Sequence, residues 1–274
     1  KRGDKMTRIL SVKNLDYSYD DKLIFDNLSF FIEKNTINSI IGPNNCGKTT
    51  LIRILCGILR SQDNIYIDGI PLTKETLRVY SLQIGSVFFK DRNKFLCEDV
   101  MSELVFPLEN LCFSKNEITI RLKEILDVFD IDDIRKKKIK ELSKFEQVKV
   151  SLASSLIHRP KVLLLDDIFD EISYQEYCEI ISIIKKIIDK YGITVLFTTN
   201  DLEKILLCNK VIFINKNKVE LEGNVNQILE HDNILAREGM NIPLMIDLSL
   251  KLKFYNLVDD VIMDVSGMVE ELWK

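Results

Sequence analysis

The chain has 274 residues, 46% of them hydrophobic and 29% charged, with a formal net charge of −4. A chain of this size buries a full core, or one core with a small appendage, and its mild acidity argues against a broad electrostatic grip on nucleic acid. Its longest apolar stretches, among them Lys161–Leu165 and Ile180–Ile188, are too short or too interrupted by lysine to cross a bilayer.

Lys1–Lys5 precede Met6 and are expected to be a remnant foreign to the native chain, with no secretory leader before that methionine. The six cysteines (Cys46, Cys56, Cys97, Cys112, Cys178 and Cys208) are scattered, without CxxC or zinc spacing. That pattern fits reduced thiols in a cytosolic protein.

Ile9–Leu15 reads as a first strand, closed by Tyr17–Tyr19, and Leu28–Ile32 and Ile37–Ile41 as two more. The last runs straight into Gly42-Pro43-Asn44-Asn45-Cys46-Gly47-Lys48-Thr49. Thr50–Leu59 then places Leu51, Ile52, Ile54, Leu55 and Ile58 at helical spacing. Ile65–Ile67 with Asp68-Gly69 predicts a short hairpin. Ser114 with Glu117 is a capping box opening an amphipathic helix, and Ser143 with Glu146 repeats it before a helix over Gln147–His158. Val162–Leu165 reads as a buried parallel strand ending in Asp166-Asp167. Ser173 and Glu176 cap a helix over Tyr174–Tyr191, Thr194–Thr198 is another buried strand, and Val211–Asn215 and Lys218–Glu222 flank a turn at Lys216-Asn217. The alternation predicts an α/β fold with a mostly parallel sheet. After Gly223 helical segments dominate, separated by Gly239, Pro243 and Gly267.

G-x-x-x-x-G-K-T between a strand and a helix predicts a phosphate-cradling loop. Its glycines let the backbone curl so that successive N–H groups converge on phosphate oxygens. The following helix adds the positive end of its dipole. Lys48 supplies a mobile cation for the β and γ phosphates, and the Thr49 hydroxyl is a ligand for Mg²⁺. Asp166, at the end of a hydrophobic strand, is placed to reach the Mg²⁺ water shell beside Thr49. Cys46 reads as a small side chain in a serine-sized slot of the loop.

From Ile9 almost to the end, these motifs resemble the ATPase subunits of ABC transporters. Gly42–Thr49 matches Walker A, Val162–Asp166 Walker B, Leu142-Ser143 the start of the signature, and Val211–Gly223 the strands that end the core. Glu103–Asn110 and the tail from Pro243 through Leu248–Leu252 to Val269–Trp273 resemble energy-coupling-factor (ECF) transporter ATPases, which energise uptake of vitamins or metal ions. The resemblance implies a P-loop NTPase ABC nucleotide-binding domain over 6–223, with a RecA-like core, an antiparallel β subdomain and a helical subdomain at about 90–160. Residues 224–274 would be a C-terminal helical dimerisation extension.

The implied cofactors are ATP and Mg²⁺. Tyr19 matches the aromatic that stacks on adenine; Gly42, Asn44, Asn45, Cys46, Gly47, Lys48, Thr49 and Thr50 surround the phosphates; Ser143 faces a partner's nucleotide. Thr49 and Asp166 are the implied metal ligands, and Asp167 and Asn200 the catalytic positions. Implied partners are a second ABC ATPase, a transmembrane scaffold subunit and a substrate-binding membrane subunit, with this chain peripheral on the cytoplasmic face of the cell membrane.

The chain departs from that family's pattern at several catalytic positions. Phe89 stands at the Q-loop glutamine, and a phenyl ring neither ligates Mg²⁺ nor holds a water. Lys144, Phe145 and Glu146 follow Leu142-Ser143 where the signature has two glycines and a glutamine. Glu146 would bring negative charge toward the partner's γ-phosphate, and Lys144 would offset it. Asp167 replaces the catalytic glutamate with a carboxylate one methylene shorter, and a misplacement of about 1 Å costs on the order of 100-fold in rate. Ile168 replaces the following proline, Ser173 the D-loop aspartate and Asn200 the switch histidine. The run Lys136–Lys138 reads as a solvated face. Intact binding chemistry beside altered catalytic chemistry predicts the weakly hydrolysing partner of a heterodimer. The alternatives are a full catalyst with Asp167 as base, a scaffold that holds ATP without turnover, or a non-transport ABC regulator.

Overall fold

A computed structural model describes residues 8–60, 64–90, 95–255, 257–258, 262 and 265–273. The expected remnant at 1–5 lies outside them. Strands β1 (Arg8–Tyr19) and β2 (Lys22–Glu33) precede β3 (Ile37–Ile41), which leads into helix α1 (Lys48–Leu55). Strands β4 (Ile65–Ile67) and β5 (Ile70–Pro71), helix α2 (Leu77–Ser81) and strand β6 (Ile84–Phe88) follow. Three helices come next, α3 (Val100–Asn110), α4 (Lys115–Phe129) and α5 (Lys144–Leu156). Then β7 (Val162–Asp166), α6 (Tyr174–Tyr191), β8 (Thr194–Thr198), β9 (Lys210–Asn215) and β10 (Lys218–Gly223) complete the sheets. The C-terminal helices are α7 (Val225–Leu229), α8 (Asp232–Arg237), α9 (Leu244–Phe254) and α10 (Val265–Leu272).

The central sheet has the order β10-β9-β3-β8-β7-β6, parallel throughout except for the β9–β10 hairpin. Every residue of β3, β7 and β8 is buried. This is why those strands read as continuous apolar runs rather than alternating ones. Burying a side chain such as Ile40 in β3 contributes roughly 1.5–3 kcal/mol. A second, antiparallel sheet, β2-β1-β4-β5, lies beside it. Its inward residues Leu10, Leu15, Phe25 and Leu28 share one core with Leu51, Ile52 and Leu55 of α1. The α3–α5 helices form the helical subdomain, packed through Leu104, Leu126, Val148 and Leu152 onto Leu163, Leu165 and α6.

Helix starts follow the caps. Ser114, Ser143 and Ser173 each accept from the backbone N–H three residues on, and Glu117, Glu146 and Glu176 reach back to the cap. A fourth such box, Asn224 with Gln227, opens α7. The helix expected over Gln147–His158 begins at Lys144, directly after its Ser143 cap, and that expected from Thr50 begins at Lys48. Helix α3 and strand β6 were not anticipated. Asp99 caps α3 by accepting from Ser102 N at 2.9 Å, and Pro107 lies inside the helix.

Beyond Gly223, the first C-terminal helices join the domain rather than standing apart. Val225, Ile228, Leu229, Leu235 and Ile246 make a third core with Ile41, Val211 and Phe213 of the central sheet. Farther along, Leu244, Phe254, Tyr255 and Trp273 are exposed.

Candidate functional site

The C-terminal ends of β3, β8 and β7 lie side by side, because these strands are neighbours in the parallel sheet. Chemistry collects at such ends in open α/β sheets. The chain leaves β3 through the glycine loop. Gly42 has φ 155° and a Cβ there would lie 2.3 Å from Ile214 O; Gly47 has φ 103° and its Cβ would lie 2.9 Å from the Ile24 and Phe25 side chains. Neither position accepts a side chain: a backbone carbonyl blocks it at Gly42 and two side chains block it at Gly47. Gly47 also sits as N-cap of α1 without a side-chain cap, so the first N–H groups of α1 are left free for an anion.

Lys48 is buried, and its Nζ donates to Gly42 O at 2.7 Å and Pro43 O at 3.1 Å. The ammonium therefore rests within the loop, on two of its own carbonyls. Cys46 Sγ lies 3.9 Å from that Nζ. Burial raises the thiol's pKa, with the Lys48 charge opposing the rise, so the side chain is a packed thiol, as its serine-sized slot predicts.

A cleft of about 350 Å³ opens over this loop. Tyr19, Asn44, Asn45, Gly47, Lys48, Thr49 and Thr50 line it, together with Asp167 and Asn200 from the other two strand ends. The sequence reading missed Lys22 and Ile24, which also line it. Lys22 is the cross-strand partner of Tyr19, and a cation one hairpin turn from the expected adenine-stacking ring was the available signal. Gly42 and Cys46 lie behind the lining, and Asp166 is buried beneath it. Ser143 stands apart on the helical subdomain, where its hydroxyl accepts from Glu146 N at 3.1 Å.

Asp166 and Asp167 are bridged by β8. Thr198 Oγ1 lies 2.9 Å from Asp166 Oδ1 and 3.1 Å from Asp167 Oδ1, and it accepts from Asp167 N at 2.9 Å. Burial pushes the Asp166 carboxyl up, a hydrogen bond with Thr49 pulls it back, and the adjacent Asp167 charge adds to the rise. Asn200, after the same strand, donates from Nδ2 to Asn44 Oδ1 at 2.6 Å, so the residue at the switch position is tied to the phosphate loop.

The segment after Asp166 is held by three lysines, none of them singled out for this role by sequence. Lys90 Nζ donates to Asp167 Oδ2 at 2.9 Å and Asp170 Oδ2 at 2.8 Å. Lys144 Nζ pairs with Glu171 Oε2 at 2.6 Å. Lys204 Nζ, buried, donates to Phe169 O at 2.6 Å. Lys144 is thus engaged within its own chain rather than held out as compensation for the lost glycines. Glu146 is likewise turned inward, accepting from Ser143 N at 2.7 Å and pairing with Lys137 at 3.3 Å. Phe89 is buried in the core of the helical subdomain, with Lys144 Nζ 5.9 Å from its ring centroid.

A glycine loop at the end of one parallel strand, a buried aspartate at the end of another and a capped helical subdomain define an ABC-type ATP-binding domain. A family model described as "ABC transporter" matches residues 25–170. Among curated proteins, the chain is 30% identical over 242 residues to the energy-coupling factor transporter ATP-binding protein EcfA of Pediococcus pentosaceus, covering 87% of this chain and 86% of that one. It is 29% identical over 249 residues to EcfA1 of Oenococcus oeni, covering 90% of each. The solved structure of cbiO1 from Clostridium perfringens, described as part of the ABC transporter complex cbiONQ, superposes with a TM-score of 0.76 at 25% identity. The match covers 86% of this chain and 96% of that one. The chain belongs to the ABC transporter ATP-binding subunits, in the energy-coupling-factor ATPase family.

Proposed function

We propose that this chain binds Mg-ATP and energises an ECF-type importer of vitamins or metal ions as the weakly hydrolysing member of a heterodimeric ATPase pair. The observation that carries this reading is the contrast within one cleft. The phosphate loop keeps its glycines, Lys48 and Thr49, whereas the Asp167 carboxylate is one methylene short and already ion-paired to Lys90.

In this reading adenine stacks on Tyr19, and the triphosphate accepts from the N–H groups of Gly42–Thr50 and the start of α1. Lys48 leaves Gly42 O and Pro43 O for the β and γ phosphates. The hydroxyl of Thr49 and the carboxylate of Asp166 are hard oxygen donors beside each other, the set that Mg²⁺ takes along with phosphates and water. Among the described residues there is no cluster of three or more His, Cys, Asp or Glu side chains that could hold a metal. That suits an ion held mainly by its nucleotide. When bound, Mg²⁺ neutralises charge on the β and γ phosphates. Asp167 orients the attacking water and Asn200 contacts the γ-phosphate, both less effectively than the family's glutamate and histidine.

Ser143 and the start of α5 face the partner's nucleotide across the dimer. Residues 6–223 act as the nucleotide-binding domain, and the exposed apolar side chains of the 224–274 extension, including Leu244, Phe254 and Trp273, support its role in dimerisation. No helix among the described residues is long and apolar enough to cross a membrane. In this reading the chain works from the cytoplasmic face through a transmembrane scaffold and a substrate-binding subunit. The test is to purify the chain alone and with its partner ATPase and to measure nucleotide affinity and turnover for both. Micromolar Mg-ATP binding with slow turnover is expected, and brisk hydrolysis by the isolated chain rejects the model.

A further inference from the structure

Lys90 and Asp167 are 77 positions apart in sequence, yet they meet at the one place where the chain's departures from its family converge. Phe89 anchors the end of β6 by burying its ring in the core, while its N–H donates to Asp166 O at 3.4 Å. That anchoring places the next side chain, Lys90, over the loop that follows β7. Its ammonium sits between two carboxylates, 2.9 Å from Asp167 Oδ2 and 2.8 Å from Asp170 Oδ2. Partial burial lowers the ammonium's pKa, but the hydrogen bonds to Asp170 and Asp167 more than reverse this, so the cation persists. Among the described residues, the lining of the nucleotide cleft includes Asp167 but not Lys90.

We propose that Lys90 is a positioning residue that straps the Asp167 carboxylate to Asp170 and so restrains water activation at this chain's own ATP site. The proposal rests on the reading of that cleft as an ATP site. A carboxylate activates water through an oxygen that is negative and aimed at the water. Here Oδ2 is turned to an ammonium that matches its charge, and Oδ1 shares a single Thr198 proton with Asp166. Lys144 and Lys204 fix the same segment further along, at Glu171 and the Phe169 carbonyl. The loop is thereby denied the small shift that would bring a short aspartate toward the γ-phosphate. The Lys90 side chain is half exposed, so its hold is modest and screened by salt.

The experiment uses the complex of this chain with its partner ATPase, the partner's own Walker lysine being substituted so that only this chain's site turns over. Wild type, Lys90→Gln and Lys90→Arg are compared for Mg-ATP affinity, kcat and KM, with melting curves as a control for folding. Lys90→Gln is expected to raise kcat roughly two- to fivefold with KM and melting temperature little changed. Lys90→Arg, which keeps the charge, is expected to stay near the wild-type rate. An unchanged or lower kcat in Lys90→Gln with nucleotide affinity intact overturns the strap while leaving the ATP site standing. A raised KM with unchanged kcat overturns it too, in favour of direct phosphate binding by Lys90. Failure of the wild-type complex to bind Mg-ATP at this site overturns the functional reading and the strap together.

Discussion

Two loops at neighbouring strand ends make up the cleft, and they have been treated differently. The loop after β3 keeps the glycines, lysine and threonine of the G-x-x-x-x-G-K-T pattern, and Lys48 rests on two carbonyls of that loop. In the loop after β7 three acidic side chains and a carbonyl are already bound to lysines of the same chain. Between them β8 touches both, Thr198 reaching the Asp166-Asp167 pair and Asn200 reaching Asn44. The glycine loop and the Asp167 carboxylate thus sit at separate strand ends of one sheet edge.

The largest effect is expected at the gripping loop. Lys48→Ala should weaken Mg-ATP binding roughly 100-fold, because charge-assisted hydrogen bonds to phosphate contribute up to about 3 kcal/mol. Titration with a fluorescent ATP analogue reads this directly, and unchanged affinity would erase the contrast between the two loops. Thr198→Val removes the hydroxyl that joins Asp166 to Asp167. It leaves the buried Asp166 carboxylate short of a donor and Asp167 N without its acceptor, a loss of about 1–3 kcal/mol that shows as a lower urea midpoint. The smallest effect sharpens the role of the altered signature. Ser143→Ala removes a cap worth about 1 kcal/mol, and the melting temperature should fall by a few degrees. If turnover in the heterodimer falls out of proportion to that stability loss, Ser143 also serves the partner's nucleotide.

Much of the framework was legible along the chain. Three serine–glutamate pairs opened three helices where they predicted them, and Ile37–Ile41 and Thr194–Thr198 formed strands with the bounds their apolar runs gave. Helix α3 escaped notice because an internal Pro107 breaks the pattern a helix reading relies on. Strand β6 escaped because it is short and holds Gly85 and Ser86 amid its apolar residues. Glu146 meets Ser143 N as its capping box predicts, whereas the in-chain partner of Lys144, Glu171, lies 27 positions away and was not legible from spacing.

The sequence therefore marked the phosphate loop, because its glycines, its lysine and its helix start all lie within Gly42–Thr50, although Ile214, Ile24 and Phe25 crowd its glycines from elsewhere in the fold. The ion pairing of the Asp167 carboxylate was decided only by tertiary structure. Lys90 and Asp167 come together because β6 and β7 pair in parallel, with Phe88 opposite Asp166. A side chain's charge is written in the sequence, but the opposite charge it meets depends on which strand ends the sheet places side by side.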